Sequence, residues 1–490
     1  MIGKRMHTAG LVAATLLLCA AAGCGAADGD TTSENAGPIG GGGAGGQGGA
    51  GGAGGSGGSG GAGGAGGAGG SGGSQQQPVQ GAPLVFRSTE RLVLVDTADA
   101  QASLCGTFAQ VSGTSRQLVV DLDACGAAIP AEAVGLVGSV TVDTTSTETI
   151  EVQVQASGAA VAGAGNVVGP LQTATHGFLT QVGSDRAFVV DVGGSDAAHV
   201  RVEMSAALVP EDAGGDYVHL LDQPLRWYAA NPNDDGFRDV WPTTDSVLRY
   251  PVAGADEGAT GMFGAVHLGP GVWRDERVGF HMGAAQPASA GNVLPRWSSV
   301  PVDGHFPWRY SSFFATGASA AQEIEMRASA ATYDTGIEPW VDVVGYFSAT
   351  PGLVYRPLDR PLAFAPDIHV NDEDVRFDTG FTDVEGVVGT LTFDLPSWPY
   401  DERNRWFFVM AGANAETFGG ALGGGLEGPD WMTAGLNQNG RVTVRFTTRT
   451  EAGRFVMRHY AYVAGGSSED PSYHEVTVQV RIDGVLTTAN

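Results

Sequence analysis

The chain has 490 residues, room for roughly two to four domains, and its 26 Lys and Arg against 53 Asp and Glu leave a formal net charge of −27. A surface of that sign repels phosphates, which argues against nucleic acid and anionic lipid headgroups as partners. Glycine, at 77 residues, is far above its usual share of roughly 7%, and most of the excess lies in one stretch.

The amino terminus reads as a targeting segment. Lys4 and Arg5 supply a positive start, and Leu11 to Ala22 is an apolar run too short to span a bilayer as a mature helix. It ends Ala21-Ala22-Gly23-Cys24. This resembles the lipobox of bacterial lipoproteins, departing from it in having Ala where Leu is commoner. The resemblance implies removal of residues 1–23 as a signal peptide and acylation of Cys24, so that a lipid anchor joins the protein to a membrane. An ordinary signal peptide with an incidental Cys24 is the competing reading. Gly25 follows the cysteine; the lack of Asp there leans toward the outer membrane or cell surface. Residues 24–82 then form a Gly/Ala/Ser-rich tether. Such a chain has little to bury and much entropy to lose. As a flexible coil it spans roughly 40–45 Å. Gly54-Gly55-Ser56-Gly57-Gly58 matches a hydrolase G-x-S-x-G, but without a strand before it or a helix after it the match carries no weight.

From Leu84 onward the chain repeats itself. Three starts line up at Val85-Phe86-Arg87, Val218-His219-Leu220 and Val354-Tyr355-Arg356, and the last two run on into Asp222-Gln223-Pro224-Leu225 and Asp359-Arg360-Pro361-Leu362. A strand carrying a glycine recurs at Val137-Gly138-Ser139, Phe263-Gly264-Ala265 and Val388-Gly389-Thr390, and Gly165-Asn166-Val167 is echoed by Gly291-Asn292-Val293. These anchors divide the folded part into β domains at 84–212, 216–350 and 353–490. Within each the hydrophobic period is 2. Ile150, Val152 and Val154 alternate with polar neighbours, and Val442, Val444 and Phe446 do so after the turn Asn439-Gly440. Ala318 to Ala331 could compete as a helix, but Ile324, Met326 and Ala328 alternate with Glu323, Glu325 and Arg327, and the neighbouring copies place a strand at this point, which favours a strand. The expectation is an all-β protein of three tandem antiparallel β-sandwich or barrel-like domains.

The second domain closes on Trp340-Val341-Asp342-Val343-Val344-Gly345-Tyr346-Phe347. Val341 to Phe347 resembles the closing strand of a β domain that recurs in tandem in secreted bacterial proteins and ends close to D-V-V-G-Y-F. The resemblance implies a surface accessory role and transfers no active-site residue. Asp342, aligned with Arg201 and Thr477, is expected to face solvent.

Cys105 and Cys125 remain once Cys19 and Cys24 are assigned to the signal and the lipid site. In an exported protein an even pair invites a disulfide, contributing roughly 3 kcal/mol in the chain-entropy model. No zinc spacing or triad motif appears among the ten histidines, so no catalytic residue is assigned. His199 and His474, opening the last strand of their domains, read as edge positions. Asn231, Asn233, Asp235 and Asp239 place oxygens at the spacing of a calcium loop, although Pro242 stands where a bidentate Glu belongs and a plain turn needs no ion. Asp367, Asn371, Glu373 and Asp374 form a similar stretch; no other cofactor is implied. Trp308, Arg309 and Tyr310, and Trp398 and Tyr400 near Trp406, gather aromatics that either fill cores or stack on a ligand. The leading reading is a lipid-anchored cell-envelope surface protein with a structural or adhesive, non-catalytic role. The alternative is a glycan- or peptide-binding surface protein using those aromatics, with a secreted hydrolase third.

Overall fold

A computed structural model describes residues 81–489, outside the segments 100–102, 106–114, 145–149, 160–165, 169–172, 194–197, 229–246, 252–253, 269–277, 285–295, 300–309, 318–321, 329–338, 366, 369–373, 395–403, 413–430, 435–440 and 464–475. Strands dominate, and all their pairings are antiparallel. The first eight are β1 (Leu84–Asp96), β2 (Ser115–Asp121), β3 (Gly135–Thr144), β4 (Ile150–Ala156), β5 (Asn166–Val168), β6 (Thr173–Gln181), β7 (Ala187–Gly193) and β8 (Ala198–Pro210). They pair in two sheets of order β1-β8-β3-β6 and β2-β7-β4-β5. That is the strand order of a jelly roll, two Greek keys folded face to face.

The same order returns twice. The second set is β9 (Tyr217–Tyr228), β10 (Val247–Pro251), β11 (Ala259–Leu268), β12 (Val278–Ala284), β13 (Arg296–Ser299), β14 (Tyr310–Gly317), β15 (Glu323–Ala328) and β16 (Pro339–Ser348). Its sheets run β9-β16-β11-β14 and β10-β15-β12-β13. The third set is β17 (Leu353–Phe364), β18 (Asp367–Ile368), β19 (Asp374–Asp378), β20 (Gly386–Asp394), β21 (Asn404–Gly412), β22 (Trp431–Ala434), β23 (Arg441–Arg449), β24 (Arg454–Val463) and β25 (Val476–Thr488). There β17-β25-β20-β23 faces β19-β24-β21-β22, and the short β18 lies beside β25.

Alternation explains why these segments are strands. Ile150 and Val152 are buried while Glu151 between them is exposed. Leu118, Val120, Phe188, Val190, Val202 and Met204 join them between the two sheets of the first set. Phe377, Leu391, Val444, Phe455, Val480 and Ile482 do the same in the third.

One irregularity is common to all three sets. Between Val137 and Gly138 the partner on β8 skips from Ala206 to Met204, leaving Ser205 as a bulge. The same skip leaves Val344 unpaired opposite Phe263–Gly264 and Asp483 opposite Val388–Gly389. A bulge bends its strand and flips the face its later side chains use. Before it, Val202 and Met204 point into the first sandwich; after it, Ala206 and Leu208 point out of it. The recurring glycine is the other half of this device. A Cβ at Gly138, Gly264 or Gly389 would run into the carbonyl oxygen of Glu203, Asp342 or Arg481.

Counting from the bulge gives the structural equivalences. Phe86, Val218 and Tyr355 pair with Leu208, Phe347 and Leu486. The second start is therefore one residue out of line with the sequence alignment: Val218, not His219, stands where Phe86 does. A one-residue slip reverses every side chain in a strand, and the packing shows the correct phase. Phe86, Val218, Tyr355, Leu208, Phe347, Leu486, Val137, Phe263 and Val388 all enter one apolar cluster, drawn from the outward faces of the three larger sheets. Phe86 and Phe347 stack in it with ring centroids 4.5 Å apart.

The opening strands close a triangle around this cluster. Leu84 pairs with Tyr355, Leu353 with Val218, and Asp216 with Phe86. The next position along each strand clamps an incoming segment. Arg87 donates to the Ala213 and Gly214 carbonyls at 2.7 and 2.8 Å, His219 Nε2 donates to Thr350 O at 3.0 Å, and Arg356 donates to Gly81 O at 2.8 Å. The first two segments are the links between sets, and Gly81 leads into β1. Around the periphery β6 lies against β13, β14 against β22, and β23 against β5. Three jelly rolls thus ring a pseudo-threefold axis, and their larger sheets join in one 13-stranded sheet.

This arrangement corrects an expectation. Asp342 is only 2% exposed. The pattern marks it as the polar member of an alternating strand, but alternation cannot tell water from a neighbouring layer. The outward face of each larger sheet turns toward the other sets, so the Asp342 face is covered. Its equivalents by register are Glu203 and Arg481, facing Ser139 and Thr390 as Asp342 faces Ala265; Arg201 and Thr477 are not its counterparts.

Cys105 and Cys125 form a disulfide. Both are buried in the first core, and the bond ties the β1–β2 connection to the 3-10 helix Asp123–Ala128. Replacing both by Ser should lower unfolding free energy by about 2–5 kcal/mol, read from denaturant midpoints; equal midpoints would remove the bond from any stabilising role. Gly138→Ala should cost about 1–3 kcal/mol by overpacking against the Glu203 backbone, whereas Gly158→Ala, with open space around its Cβ, should be limited to the left-handed backbone penalty of about 1 kcal/mol. Comparable losses at the two sites would refute the bulge–glycine pairing.

Candidate functional site

A cleft of about 350 Å³ lies between the third and first sets. That is at the small end of ligand sites, roughly 300–1,000 Å³. One wall is the outward face of β20, β23 and β25. Leu391, Val444, Val480 and Ile482 point into the third core, so the period-2 geometry turns Thr390, Thr392, Thr443, Arg445, Gln479 and Arg481 the other way. All six line the cleft. The opposing wall comes from β4 and β6, with Gln153, Val154, Gln155, Phe178 and Thr180. Leu358, Asp359 and Pro361 close one side. They belong to an excursion in β17, where the register jumps from Pro357 to Leu362. Pro361 cannot donate to a ladder, which suits it to a stretch that leaves the sheet.

The bulge aims the central group. Asp483 is the unpaired residue of β25, and its carboxylate lies between two guanidiniums. Arg445 Nη1 is 3.3 Å from Oδ2, and Arg481 Nε is 2.7 Å from Oδ1. Thr392 and Thr443 hydroxyls hydrogen-bond to each other at 3.0 Å. Tyr355 lies beneath, 1% exposed; burial first, and then the Asp483 charge, push its phenol above the ordinary tyrosine range. It therefore stays protonated and neutral. The buried Oε1 of Gln155 has no hydrogen-bond partner within the protein.

The equivalent positions in the other sets show why the cleft opens here. Arg445 faces Thr390 as Gly177 faces Ser139 and Phe313 faces Ala265. At Gly177 a Cβ would collide with the Phe313 backbone, so the first and second sets close together at that point. In the third set the same position carries a long guanidinium side chain, and a cavity stands beside it. The charge also reverses: Glu203 and Asp342 stand where the third set has Arg481. Glu203 is held by Arg201 Nε at 2.6 Å, and Arg201 Nη1 reaches Asp96 at 3.3 Å.

The residues expected from sequence to carry function lie elsewhere. Cys24 and the tether, the loop with Asn231, Asn233, Asp235 and Asp239, the pair Trp308 and Arg309, Trp398, Tyr400, Asn371, Glu373 and His474 lie outside the described residues. Tyr310 opens β14, Trp406 falls in β21, Asp367 in β18 and Asp374 in β19. His199 is exposed on β8. Among the described residues no group of three or more His, Cys, Asp or Glu could hold a metal, and no helix is long and apolar enough to cross a membrane. The cleft was invisible in sequence because Arg445, Arg481 and Asp483 look like any wet strand face.

No family model matches the chain, and neither does any curated protein. Solved structures return low-scoring likenesses. A chain from "Life in the extremes: atomic structure of Sulfolobus Turreted Icosahedral Virus" is 7% identical, with 84% of this chain and 92% of that one covered and a TM-score of 0.17. One from "The Triple Jelly Roll Fold and Turret Assembly in an Archaeal Virus" is also 7% identical, covering 84% and 90% with a TM-score of 0.17. A CBM22 tandem domain of Paenibacillus barcinonensis Xyn10C is 10% identical, covering 56% and 98% with a TM-score of 0.15. The jelly-roll assignment stands on the strand pairing alone.

A buried histidine adjoins the cleft wall. His176, next to Gly177 on β6, is 7% exposed, and burial lowers its pKa to about 4. Between the ordinary value near 6.5 and that value, the unfolded chain binds a proton the folded one does not. Stability should therefore fall as pH drops through this window, by about 3 kcal/mol at its acid end. Denaturant midpoints of wild type and His176→Leu across pH 4–7 check this; parallel curves would show that the imidazole is not the cause.

Proposed function

We propose that this is a lipid-anchored protein of the cell envelope whose β head acts without catalysis, as a structural or adhesive element displayed at the surface. The observation that supports it best is in the sequence: Cys24 stands in a lipobox-like context, and a Gly-rich segment follows it before the β domains begin. Acyl chains on Cys24, contributing about 0.8 kcal/mol per buried CH₂, would fix the protein to a membrane. In this reading the three β domains act as one head. A second reading, glycan or peptide binding, is favoured by the Arg445–Asp483–Arg481 cleft.

Cys24→Ser tests the anchor. The wild-type protein should take up a clickable palmitate analogue and sediment with membranes, and the variant should lose both properties. Membrane sedimentation retained by the variant would refute acyl anchoring at this residue.

A further inference from the structure

We propose that the cleft between the third and first sets binds a neutral, hydroxyl-rich saccharide. The inference deepens the binding reading above and does not depend on the anchor.

Charge sets the ligand class. Arg445 and Arg481 on the wall are offset by Asp483 between them and Asp359 at the side. No local charge is left to select an ionic ligand, and the net charge of −27 works against anions at longer range. What remains is a dense field of oriented polar groups. Each guanidinium has five donors and cannot accept, and the carboxylate can only accept. Asp483 takes up part of each guanidinium, and the nearby threonine hydroxyls can both donate and accept. Alternating donors and acceptors at fixed spacing suit vicinal hydroxyls, which themselves do both.

The opposite wall supplies what a sugar ring also needs. Val154 on that wall and Leu358 on the closing side give the cleft apolar character, suited to the C–H face of a pyranose. Gln155 adds an independent pointer. Its buried Oε1 lacks a partner, and an unpaired buried acceptor costs about 1–3 kcal/mol. A ligand hydroxyl would satisfy it. The jelly rolls' divergence gives the same indication, since a cleft stands where this pseudo-symmetric position carries Arg445, and Gly177 closes the equivalent point between the first and second sets.

The test is calorimetric titration of the detergent-solubilised full chain with cellotetraose, xylotetraose, maltotetraose and chitotetraose. Tetragalacturonate and tetra-alanine serve as acidic and peptide comparisons. At least one neutral tetrasaccharide should give a saturable isotherm. Thr390→Val and Gln155→Leu should each weaken it about fivefold or more without lowering the unfolding midpoint, and Arg445→Met should weaken it about tenfold or more. If the Arg445 variant fails to fold, the other two decide. Absence of binding by every neutral probe at millimolar concentration, binding by tetragalacturonate alone, or variants that bind like wild type would overturn the assignment. Binding of tetra-alanine alone would overturn the saccharide while leaving a peptide-binding cleft. Fractionation of Cys24→Ser reports on the anchor separately.

Discussion

Everything in the head depends on the meeting of three strand ends. Leu84, Asp216 and Leu353 each pair with the opening strand of another set. A handful of backbone bonds would not hold three sandwiches together in water, since each has a net worth of only about 0.5–1.5 kcal/mol. They hold because the cluster around Phe86, Phe347 and Tyr355 is buried. Apolar burial supplies the stabilisation, and the backbone pairs fix which residues meet. The side-chain clamps of Arg87, His219 and Arg356 then set the path of each segment entering a strand.

The bulge makes this geometry possible. A sheet of strict alternation has one face for its own sandwich. Inserting Ser205, Val344 or Asp483 reverses the phase partway along the closing strand, so that its second half can serve the shared core. The glycine opposite leaves space for the bulged backbone. One extra residue and one missing Cβ, repeated three times, turn separate sandwiches into a ring.

Much of this was legible in the chain and some was not. The all-β class followed from alternation at Ile150–Val154 and Val442–Phe446. The recurring Gly138, Gly264 and Gly389 could be found in sequence, but their reason could not, because it lies in the backbone of another strand. Asp342 shows the limit most clearly. A carboxylate between apolar neighbours has the same pattern whether water or a neighbouring layer covers it. The Arg445–Asp483–Arg481 group failed to stand out for the same reason, and the one-residue slip at Val218 arose because His219 mimics neither Phe86 nor Arg87 chemically, although it performs Arg87's bond.

The clamp on Gly81 has a mechanical meaning. A pull arriving along the chain from the amino-terminal side reaches β1 at its first residue, and β1 lies against β8 from Leu84 to Asp96. Force directed along that strand loads its ladder in shear, many hydrogen bonds at once, instead of peeling them singly. Arg356 shares the load with the third set before β1 carries it. The start of β1 is therefore suited to bearing tension.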